Sequence, residues 1–496
     1  MKRLHEIVES HAKQNVAVVD TDGTVLSYGK LMAQANDLSG HLRKLSVRPG
    51  DRVVLVAENC AAYAVMLLAA SLADVWLILV NARQSPEEVR AVVAHAEPRM
   101  IFFTTHVSEN AAGHARDWQA KTVGQLGTAP LVATGAMDST PEPVDPGPNQ
   151  VAVLLYTTGT TSAPKGVMLT HDNLIFSSTN GARYFDVQQT DEVLGVLPGT
   201  HIYALSSVFL NCLAGGASIR FLPRFDPAEV LHHLRNGITR FPGVPQMFAG
   251  LMAHCDKLGE PLGADDLRFL VTGGAPLDPG LKTRVEAFFG LPLCNGYGIT
   301  ELAPSVASTH PSDPKNDVSV GPPYTWIDVR IADAGKDGIG EVQVRGRNVM
   351  KGYFREPAKT AEAMTADGFF RTGDLGRIDE SGSLHIAGRL KELIIRSGFN
   401  VHPPEIEAML SRHPEVYSAA VVGRNVPGNE EIIAFVKTGG VSSGEVLRGW
   451  LKDQLVAYKV PQVVLVVEDW PAASTGKVLK HKLLDHFADR IPAPRA

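Results

Sequence analysis

Cysteine and net charge are both scarce in this sequence. Its 496 residues include four cysteines, and 47 basic residues nearly balance 53 acidic ones, which leaves a formal net charge of -6. The cysteines lie far apart and form no CxxC pair. We therefore expect neither a disulfide framework nor a structural zinc site, and a reducing, cytoplasmic location. Since the sequence has no global basic field, a nucleic-acid partner is not expected.

A long uninterrupted apolar run is also lacking. The most apolar stretch, residues 61–80, contains Asp74, and the N-terminal residues mix charge with apolar side chains instead of forming a signal-peptide core. A membrane span needs about 20 consecutive apolar residues. The pattern therefore predicts a buried helix over 61–73 followed by a strand, with no integral membrane span.

The sequence does contain an alternation of short apolar runs and helix-like segments. Continuous apolar strands that alternate with helices are typical of sheets covered on both faces, which is α/β layering. A chain of 496 residues is also too long for one compact core, so we expect two or more domains. The predicted strands are 53–57, 75–80, 100–104, 151–156 and 267–272, and the predicted helices are 30–44, 86–96, 227–236 and 279–289, the last with Asp278 as N-cap.

Two regions depart from this alternation. Residues 134–149 are rich in turn and breaker residues and predict either an exposed loop or a linker between lobes. From about residue 390 the pattern changes, with strand-like runs at 419–422, 432–436 and 462–467 and a helix near 443–455. This change predicts a small α+β unit of about 100 residues.

The most informative segment is a hydroxyl-rich stretch over residues 156–166, with the sequence YTTGTTSAPKG. It follows a predicted strand, and residues 167–170 predict another strand behind it. Backbone N–H groups, hydroxyls and the cation of Lys165 are the groups that bind a polyphosphate. The stretch is not a Walker A loop, because Gly166 stands where that motif has Ser or Thr after the lysine. An ordinary hairpin turn is the alternative, but a turn needs only two or three such residues.

This stretch resembles the signature loop of the adenylate-forming superfamily, which includes acyl-CoA synthetases, luciferases and the adenylation domains of peptide synthetases. Further motifs follow in the family's order: GGAPL at 273–277, NGYGITE at 295–301, RTGD at 371–374, GRLKE at 388–392 and PAASTGKV at 471–478. The resemblance implies an ATP-dependent acyl–CoA ligase that uses ATP, Mg²⁺ and coenzyme A. Such an enzyme forms an acyl-adenylate and then a CoA thioester, and it releases AMP and pyrophosphate.

The resemblance also implies a domain organisation. Residues 1–388 would form a large N-terminal domain of layered α/β subdomains that binds ATP and the acyl group. Residues 389–391 would be the hinge, and residues 392–496 a small, mobile α+β domain that carries Lys477. Rotation about the hinge would withdraw Lys477 and bring the loop 396–400 toward the pantetheine tunnel.

Chemical roles for individual side chains follow from the same resemblance. Lys477 would bridge the substrate carboxylate and the α-phosphate, with Thr300 and Glu301 as the other catalytic residues. Thr160 and Glu301 would bind Mg²⁺. The implied ATP and CoA contacts are Thr157, Thr158, Gly159, Thr160, Thr161, Lys165, Gly274, Ala275, Pro276, Asn295, Gly296, Tyr297, Gly298, Asp374, Arg389, Lys391, Gly398 and Phe399.

Three of these contacts have a defined partner on the nucleotide. Tyr297 would offer an aromatic face to adenine. Asp374 would accept hydrogen bonds from both ribose hydroxyls, and Arg389 would donate to the ribose or a phosphate. Taken alone, an aspartate after a glycine is usually a turn residue, so the role of Asp374 rests on the resemblance.

The acyl pocket is implied by segment 197–208, which is similar to the one with which 4-coumarate–CoA ligases enclose their substrate. In contrast, the loop 394–400 is more similar to that of bacterial fatty or aryl acyl-CoA synthetases. We therefore expect an aryl or medium-chain carboxylic acid as substrate. The implied substrate contacts are His201, Tyr203, Ser207, Gly298, Pro304 and Ser305.

Two other functions stay open at this point. An adenylation enzyme could load a separate carrier protein instead of CoA, although the sequence contains no carrier-type region. A nucleotide-binding scaffold without chemistry is the second, and the presence of Glu301, Asp374, Lys391 and Lys477 argues against it. The expected partners are a small carboxylic acid and CoA, and a homodimer is one candidate for the assembled state.

Overall fold

The computed structural model describes residues 3–157, 164–397, 399–427, 429–472 and 478–493. The helices in these ranges are α1 Tyr28–Lys44, α2 Ala61–Leu72, α3 Pro86–Ala96, α4 Glu109–Asp117, α5 His171–Tyr184, α6 Asn211–Gly215, α7 Pro227–Leu234, α8 Pro245–Leu258, α9 Pro279–Phe289, α10 Pro357–Glu362, α11 Pro403–Leu410, α12 Gly444–Gln454 and α13 Leu483–His486.

The strands are β1 Val16–Val19, β2 Val25–Ser27, β3 Arg52–Ala57, β4 Trp76–Asn81, β5 Met100–Phe103, β6 Lys121–Leu126, β7 Ala129–Ala133, β8 Val151–Thr157, β9 Lys165–Thr170, β10 Glu192–Gly195, β11 Ser218–Phe221, β12 Arg240–Gly243, β13 Phe269–Gly273, β14 Leu293–Gly298, β15 Ser305–Ser308, β16 Asp328–Ala332, β17 Gly340–Arg345, β18 Gly352–Tyr353, β19 Phe370–Ile378, β20 Leu384–Arg389, β21 Ile394–Arg396, β22 Phe399–Val401, β23 Val416–Val426, β24 Asn429–Thr438 and β25 Val463–Val466.

Two eight-stranded sheets form the centre of the N-terminal part. The first has the order β15-β14-β13-β12-β10-β11-β1-β2, and the second has the order β18-β9-β8-β4-β3-β5-β7-β6. The inner strands are parallel, and antiparallel strands lie toward the edges. Buried residues of both sheets and of α1, α2 and α5 belong to one continuous core. The layered α/β class predicted from the sequence is therefore confirmed.

Alternation along a strand shows how the layers form. In β3, Val53 and Leu55 pack into the core shared by the two sheets, whereas Val54 and Val56 face the opposite side with residues of α3 and α4. Successive side chains of a strand point to opposite faces. A strand covered on both faces is therefore apolar at every position, which is why these strands read as continuous runs.

The apolar stretch 61–80 is a buried helix followed by a strand, as predicted. Helix α2 spans Ala61–Leu72, and β4 begins at Trp76. Asp74 lies in the turn between them and accepts a hydrogen bond from Arg3 at 2.7 Å. Within the described ranges, no helix is long and apolar enough to cross a bilayer.

The breaker-rich region 134–149 is a loop and not a linker between lobes. It joins β7 to β8, and both strands belong to the second sheet. The loop is held to the body by the buried guanidinium of Arg52, which pairs with Glu142 and donates to the carbonyl of Ala96. A sequence pattern rich in proline could not distinguish these two alternatives.

The C-terminal part is a smaller α+β unit, as predicted. Its three-stranded sheet has the order β23-β24-β25 and carries α11 and α12 in its core. The first two strand-like runs of the sequence are longer in the structure: β23 has 11 residues and β24 has 10, paired as one antiparallel hairpin. Polar residues at the ends of both strands interrupt the apolar pattern, so the sequence predicted shorter strands. A separate four-stranded antiparallel sheet, β16-β17-β19-β20, precedes this unit.

Local sequence signals explain several helix ends. Asp278 caps α9 by accepting from the N–H of Leu281 at 2.7 Å, as predicted, and Pro279 occupies the first turn. Ser85 and Glu88 form a capping box at the start of α3. One element was not foreseen: residues Tyr203–Leu210 form a π-helical segment that continues into α6. Such segments are rare and frequently lie at functional sites.

Candidate active site

The hydroxyl-rich stretch connects two paired strands of the second sheet. Thr157 at the end of β8 lies opposite Lys165 at the start of β9, and Tyr156 lies opposite Gly166. Both strands that were predicted to flank this stretch are therefore present. The predicted contacts Thr158, Gly159, Thr160 and Thr161 lie outside the described residues.

Glu301 follows β14, at the end of the first sheet, on a single turn of 3-10 helix. Its Oε1 accepts a 2.9 Å hydrogen bond from the hydroxyl of Tyr353. Burial raises the pKa of Glu301. Thr300, beside it, is buried. Glu301 thus presents a partly desolvated carboxylate whose orientation is set by a tyrosine.

Tyr353 also contacts the lysine of the phosphate stretch. The Nζ atom of Lys165 lies 5.1 Å from the centre of the Tyr353 ring, within the range of a cation–π interaction. Tyr353 belongs to β18, which pairs with β9. The sequence did not predict Tyr353, because the GYF sequence around it contains no charged or hydroxyl-rich motif.

A second cluster surrounds Asp374. Its Oδ2 accepts a 2.6 Å hydrogen bond from the Tyr297 hydroxyl, and its Oδ1 lies 3.3 Å from Nε of Arg389. Burial, together with Asp374, raises the pKa of Tyr297 well above its ordinary value, so that the hydroxyl remains a donor. Asp374 is 5% exposed, whereas 43% of the Arg389 side chain is exposed. Tyr297, Asp374 and Arg389, predicted separately, therefore lie together.

The two clusters belong to one site. The charges of Arg389 and Asp374 both act on the pKa of Glu301, the first lowering it and the second raising it. The main cause of the raised pKa is nevertheless burial. Glu301, Asp374 and Arg389 thus lie close enough for their charges to interact.

Glycines permit close backbone approach at this edge. A Cβ at Gly298 would lie 2.0 Å from the carbonyl oxygen of Pro304, so no larger residue fits without movement of the backbone. Gly274 has a φ of +74° and is exposed, directly after β13. Ala275 is half-buried and Pro276 is exposed beyond it. The assignment of Gly274, Ala275 and Pro276 as nucleotide contacts stays a prediction.

Asn295 and Gly296 occupy the inner part of β14. The side-chain amide of Asn295 is buried and donates to the carbonyls of Val318 and Ser319, so it fastens the neighbouring loop to the strand. Gly296 pairs with Ser308 across the sheet. The assignment of both residues as nucleotide contacts stays a prediction.

The predicted acyl-pocket residues come from two segments that touch. The π-helical segment Tyr203–Leu210 packs against the turn after Glu301, where the hydroxyl of Ser206 donates to the carbonyl of Ala303 at 2.7 Å. Ser207 is half-buried, while Pro304 is buried and Ser305 is half-buried. The segment therefore lies against the loop that carries the predicted far wall.

Tyr203 lies beside the end of β13. Its hydroxyl lies 3.4 Å from the carbonyl of Val271, and a Cβ at Gly273 would lie 3.7 Å from its ring. His201 is exposed at the start of the segment, and its Nδ1 accepts from the N–H of Tyr203 at 3.3 Å. The arrangement leaves Tyr203, rather than His201, as the enclosed side chain.

The remaining predicted residues belong to the C-terminal part. Lys391 is exposed on the 3-10 turn Leu390–Glu392, after β20. Phe399 is 52% exposed and stacks on Tyr458 with a centroid distance of 4.4 Å. The predicted contacts Gly398 and Lys477 lie outside the described residues.

The donor set fits a magnesium nucleotide. Among the described residues, Glu301 has no lysine or arginine within ion-pair distance, and burial of such a carboxylate is costly without a cation. Mg²⁺ prefers carboxylate oxygens together with substrate phosphates. Lys165 offers a positive charge of the kind that phosphates need, and Asp374 offers an acceptor of the kind that ribose hydroxyls need.

Comparison with known proteins agrees with this geometry. Residues 4–354 match the family described as AMP-binding enzyme, and residues 405–477 match the AMP-binding enzyme C-terminal domain. The chain is 33% identical over 475 residues to a feruloyl-CoA synthase of Amycolatopsis sp, covering 94% of each chain. It is 31% identical over 508 residues to 4-coumarate--CoA ligase 1 of Arabidopsis thaliana, covering 95% of this chain and 89% of the relative.

A solved structure shows the same architecture. The o-succinylbenzoate coenzyme A synthetase of Bacillus subtilis, in complex with ATP and a magnesium ion, superposes with a TM-score of 0.82 and 26% sequence identity. The superposition covers 97% of this chain and 99% of that protein.

The matched family models and the named relatives identify the chain as an acid–thiol ligase of the AMP-forming class, which uses ATP, Mg²⁺ and coenzyme A. The chain belongs to the AMP-binding enzyme family, and within it to the adenylate-forming CoA ligases.

Proposed function

We propose that this enzyme activates an aryl or medium-chain carboxylic acid and transfers the acyl group to free CoA. The observation that carries the proposal is the joint cluster of Tyr297, Asp374 and Arg389 beside Glu301. An acidic group suited to ribose, on β19, then lies near another suited to Mg²⁺, on the turn after β14. The relatives named for ferulate and 4-coumarate support an aryl acid.

In the first half-reaction, the carboxylate oxygen of the substrate attacks the α-phosphorus of ATP, and pyrophosphate leaves. Asp374 orients the ribose, and Lys165 binds phosphate oxygens. Glu301 and Thr160 would hold Mg²⁺, and the ion would supply positive charge to the phosphates. Lys477 supplies the positive charge between the carboxylate and the α-phosphate, and such a donor in a dry site is worth about 3–4 kcal/mol.

In the second half-reaction, the thiol of CoA attacks the acyl carbonyl and AMP leaves. We propose that residues 1–388 and 392–496 are the two domains and that 389–391 form the hinge. Lys391 is exposed on a short turn, which suits a hinge residue. The exposed ring of Phe399 belongs to the loop that would face the thiol arm.

The alternative acceptor is a carrier protein. It is less favoured because the relatives compared above are named as CoA ligases.

Cytoplasmic location is proposed from the four free, buried cysteines, and a homodimer is proposed as the assembled state. Light scattering of the purified protein tests the homodimer, and cell fractionation tests the location.

The direct test is thioester formation with ATP and Mg²⁺ across a panel of acids, from acetate and octanoate to benzoate and 4-coumarate. We expect CoA thioesters from an aryl or medium-chain acid, and little product from acetate. Release of AMP without a thioester would favour the carrier-protein alternative. Activity restricted to acetate would contradict the proposed substrate class.

A further inference from the structure

Segment 347–354, here called the bridging segment, connects the two large sheets at the active site. Lys351 donates its N–H to the carbonyl of Met168, and Phe354 donates to the carbonyl of Gly166, both on β9 of the second sheet. These contacts attach one end of the bridging segment to the strand that begins with Lys165.

The other end of the bridging segment is attached to the turn that carries Glu301. The N–H of Met350 donates to the carbonyl of Glu301 at 2.8 Å. The buried amide of Asn348 donates to the carbonyls of Leu302 and Ser305 at 3.1 and 3.0 Å. This turn follows β14 of the first sheet, so the bridging segment is hydrogen-bonded to elements of both sheets beside Glu301.

Tyr353 is the residue of the bridging segment that reaches both chemical groups. Its hydroxyl donates to Oε1 of Glu301 at 2.9 Å, and its ring lies under Nζ of Lys165 at 5.1 Å. Its backbone is held by the N–H bond to Thr360 Oγ1 at 2.9 Å and by strand pairing with Val167. Tyr353 is buried, with 8% of the residue surface exposed.

We propose that Tyr353 is a positioning residue that orients Glu301 toward Mg²⁺ and holds it in register with Lys165. The inference rests on the proposed role of Glu301. A hydrogen bond to a ligating carboxylate fixes which oxygen faces the metal and reduces the rotations lost on binding. Loss of such a partner lowers metal affinity on the order of 10–100-fold.

The hydroxyl and the ring of Tyr353 can be tested separately. Tyr353→Phe removes the bond to Glu301 and keeps the ring under Lys165. We expect it to raise the half-saturating Mg²⁺ concentration for adenylation at least about tenfold, with a smaller change in kcat at saturating Mg²⁺. Tyr353→Leu also removes the ring and is expected to raise the KM for ATP in addition.

Metal binding without turnover gives an independent readout. Binding of Mn²⁺ to the enzyme–ATP complex, measured by electron paramagnetic resonance without any carboxylic acid, should weaken about tenfold or more in Tyr353→Phe. Thioester formation from supplied acyl-adenylate should be unchanged, because that step does not require the metal at Glu301. The matched control is Tyr184→Phe, which also removes a tyrosine hydroxyl bond, to the carbonyl of Ser308.

The outcomes separate this inference from the proposed function. If Tyr353→Phe and Tyr184→Phe have the same Mg²⁺ requirement and Mn²⁺ affinity as the wild-type enzyme, the inference is overturned. The inference is also overturned if Tyr353→Phe slows both half-reactions equally and lowers the melting temperature, because that result indicates a general structural role. A wild-type protein that forms no acyl-adenylate with any acid of the panel would instead contradict the proposed function.

Discussion

The hydroxyl of Tyr297 donates to Oδ2 of Asp374 across 77 residues of sequence, at a distance of 2.6 Å. Tyr297 lies at the end of the first large sheet, and Asp374 lies on β19 of the antiparallel sheet that follows it. The bond aligns the carboxylate proposed to hold ribose with the ring proposed to contact adenine. The proposed nucleotide site thus includes residues of two sheets.

Removal of this bond tests the role of the pair. Tyr297→Phe keeps the aromatic ring and removes the hydrogen bond to Oδ2 of Asp374. The carboxylate can then rotate more easily. A hydrogen bond to a charged group contributes about 1.5–3 kcal/mol, so we expect the KM for ATP to rise about tenfold with the KM for the acid unchanged. Steady-state kinetics at saturating acid gives the values. Tyr28→Phe, which removes a remote buried bond to the carbonyl of Ala217, is the control; equal ATP constants in both variants would count against the assignment.

Lys477 should act in the first half-reaction only. We expect Lys477→Ala to reduce acyl-adenylate formation by about 10²–10³-fold or more, since it removes a charge comparable to an oxyanion donor. Thioester formation from supplied acyl-adenylate should stay within a few-fold of wild type. Rapid-quench measurement of each half-reaction makes the comparison, with the exposed Lys452→Ala as control. Equal losses in both half-reactions would refute this division.

Lys480 ties the segment after Lys477 to the region near the hinge. Its Nζ lies 2.7 Å from Oε1 of Glu407 and 3.2 Å from Oε2 of Glu392. The three side chains keep 15–26% of their surface exposed, so the cost of removing the lysine lies between about 1 kcal/mol for an exposed pair and about 3–5 kcal/mol for a fully buried one. We therefore expect Lys480→Met to lower the free energy of unfolding of the C-terminal part by about 1–3 kcal/mol, whereas Lys482→Met at an exposed position should not. Urea unfolding followed by Trp fluorescence measures both, and equal stabilities would contradict the expected role.

Acid should destabilise the protein partly through His171. The ring is 1% exposed and its Nδ1 accepts from the N–H of Leu4. Burial, with Arg3 and His5 nearby, lowers its pKa to about 3. Below pH ~6.5 the unfolded chain therefore binds a proton at His171 that the folded protein does not bind. The stability that the neutral ring contributes is complete above pH ~6.5 and is lost as the pH falls toward 3.

The change in stability can be measured by variant comparison. Between pH 6.5 and 4.5, His171 should contribute a loss of about 1.4 kcal/mol per pH unit. His171→Gln should lack this part of the slope when unfolding free energies are measured by urea at several pH values. His481→Gln, at an exposed position, should retain the wild-type slope. Identical slopes in wild type and His171→Gln would show that the ring does not stay neutral in the folded state.

Local signals in the sequence were sufficient for much of the fold. Nearby residues determine the apolar strands around Val53 and Leu77, the cap at Asp278 and the helix at 61–72. The ends of these elements in the structure agree with the predicted ends within about one or two residues. The proximity of Tyr297, Asp374 and Arg389 followed from the family resemblance, not from spacing.

Long-range pairing was not accessible in the same way. Tyr353 reaches Glu301 because β18 pairs with β9, and nothing in the few residues around Tyr353 encodes that pairing. The length of β23 and β24 was underestimated because polar residues near Arg424 and Glu431 pair with each other at the strand ends. Such contacts depend on which strands become neighbours, and that is a property of the whole chain.

Isotope transfer from the carboxylic acid tests the central claim most directly. With an acid labelled with ¹⁸O in its carboxylate, wild-type enzyme, ATP, Mg²⁺ and CoA, the account predicts that one labelled oxygen appears in AMP, as read by mass spectrometry, because the carboxylate oxygen becomes bonded to the α-phosphorus. Label in inorganic phosphate, with ADP as the nucleotide product, would contradict an acyl-adenylate and with it the mechanism proposed for this site.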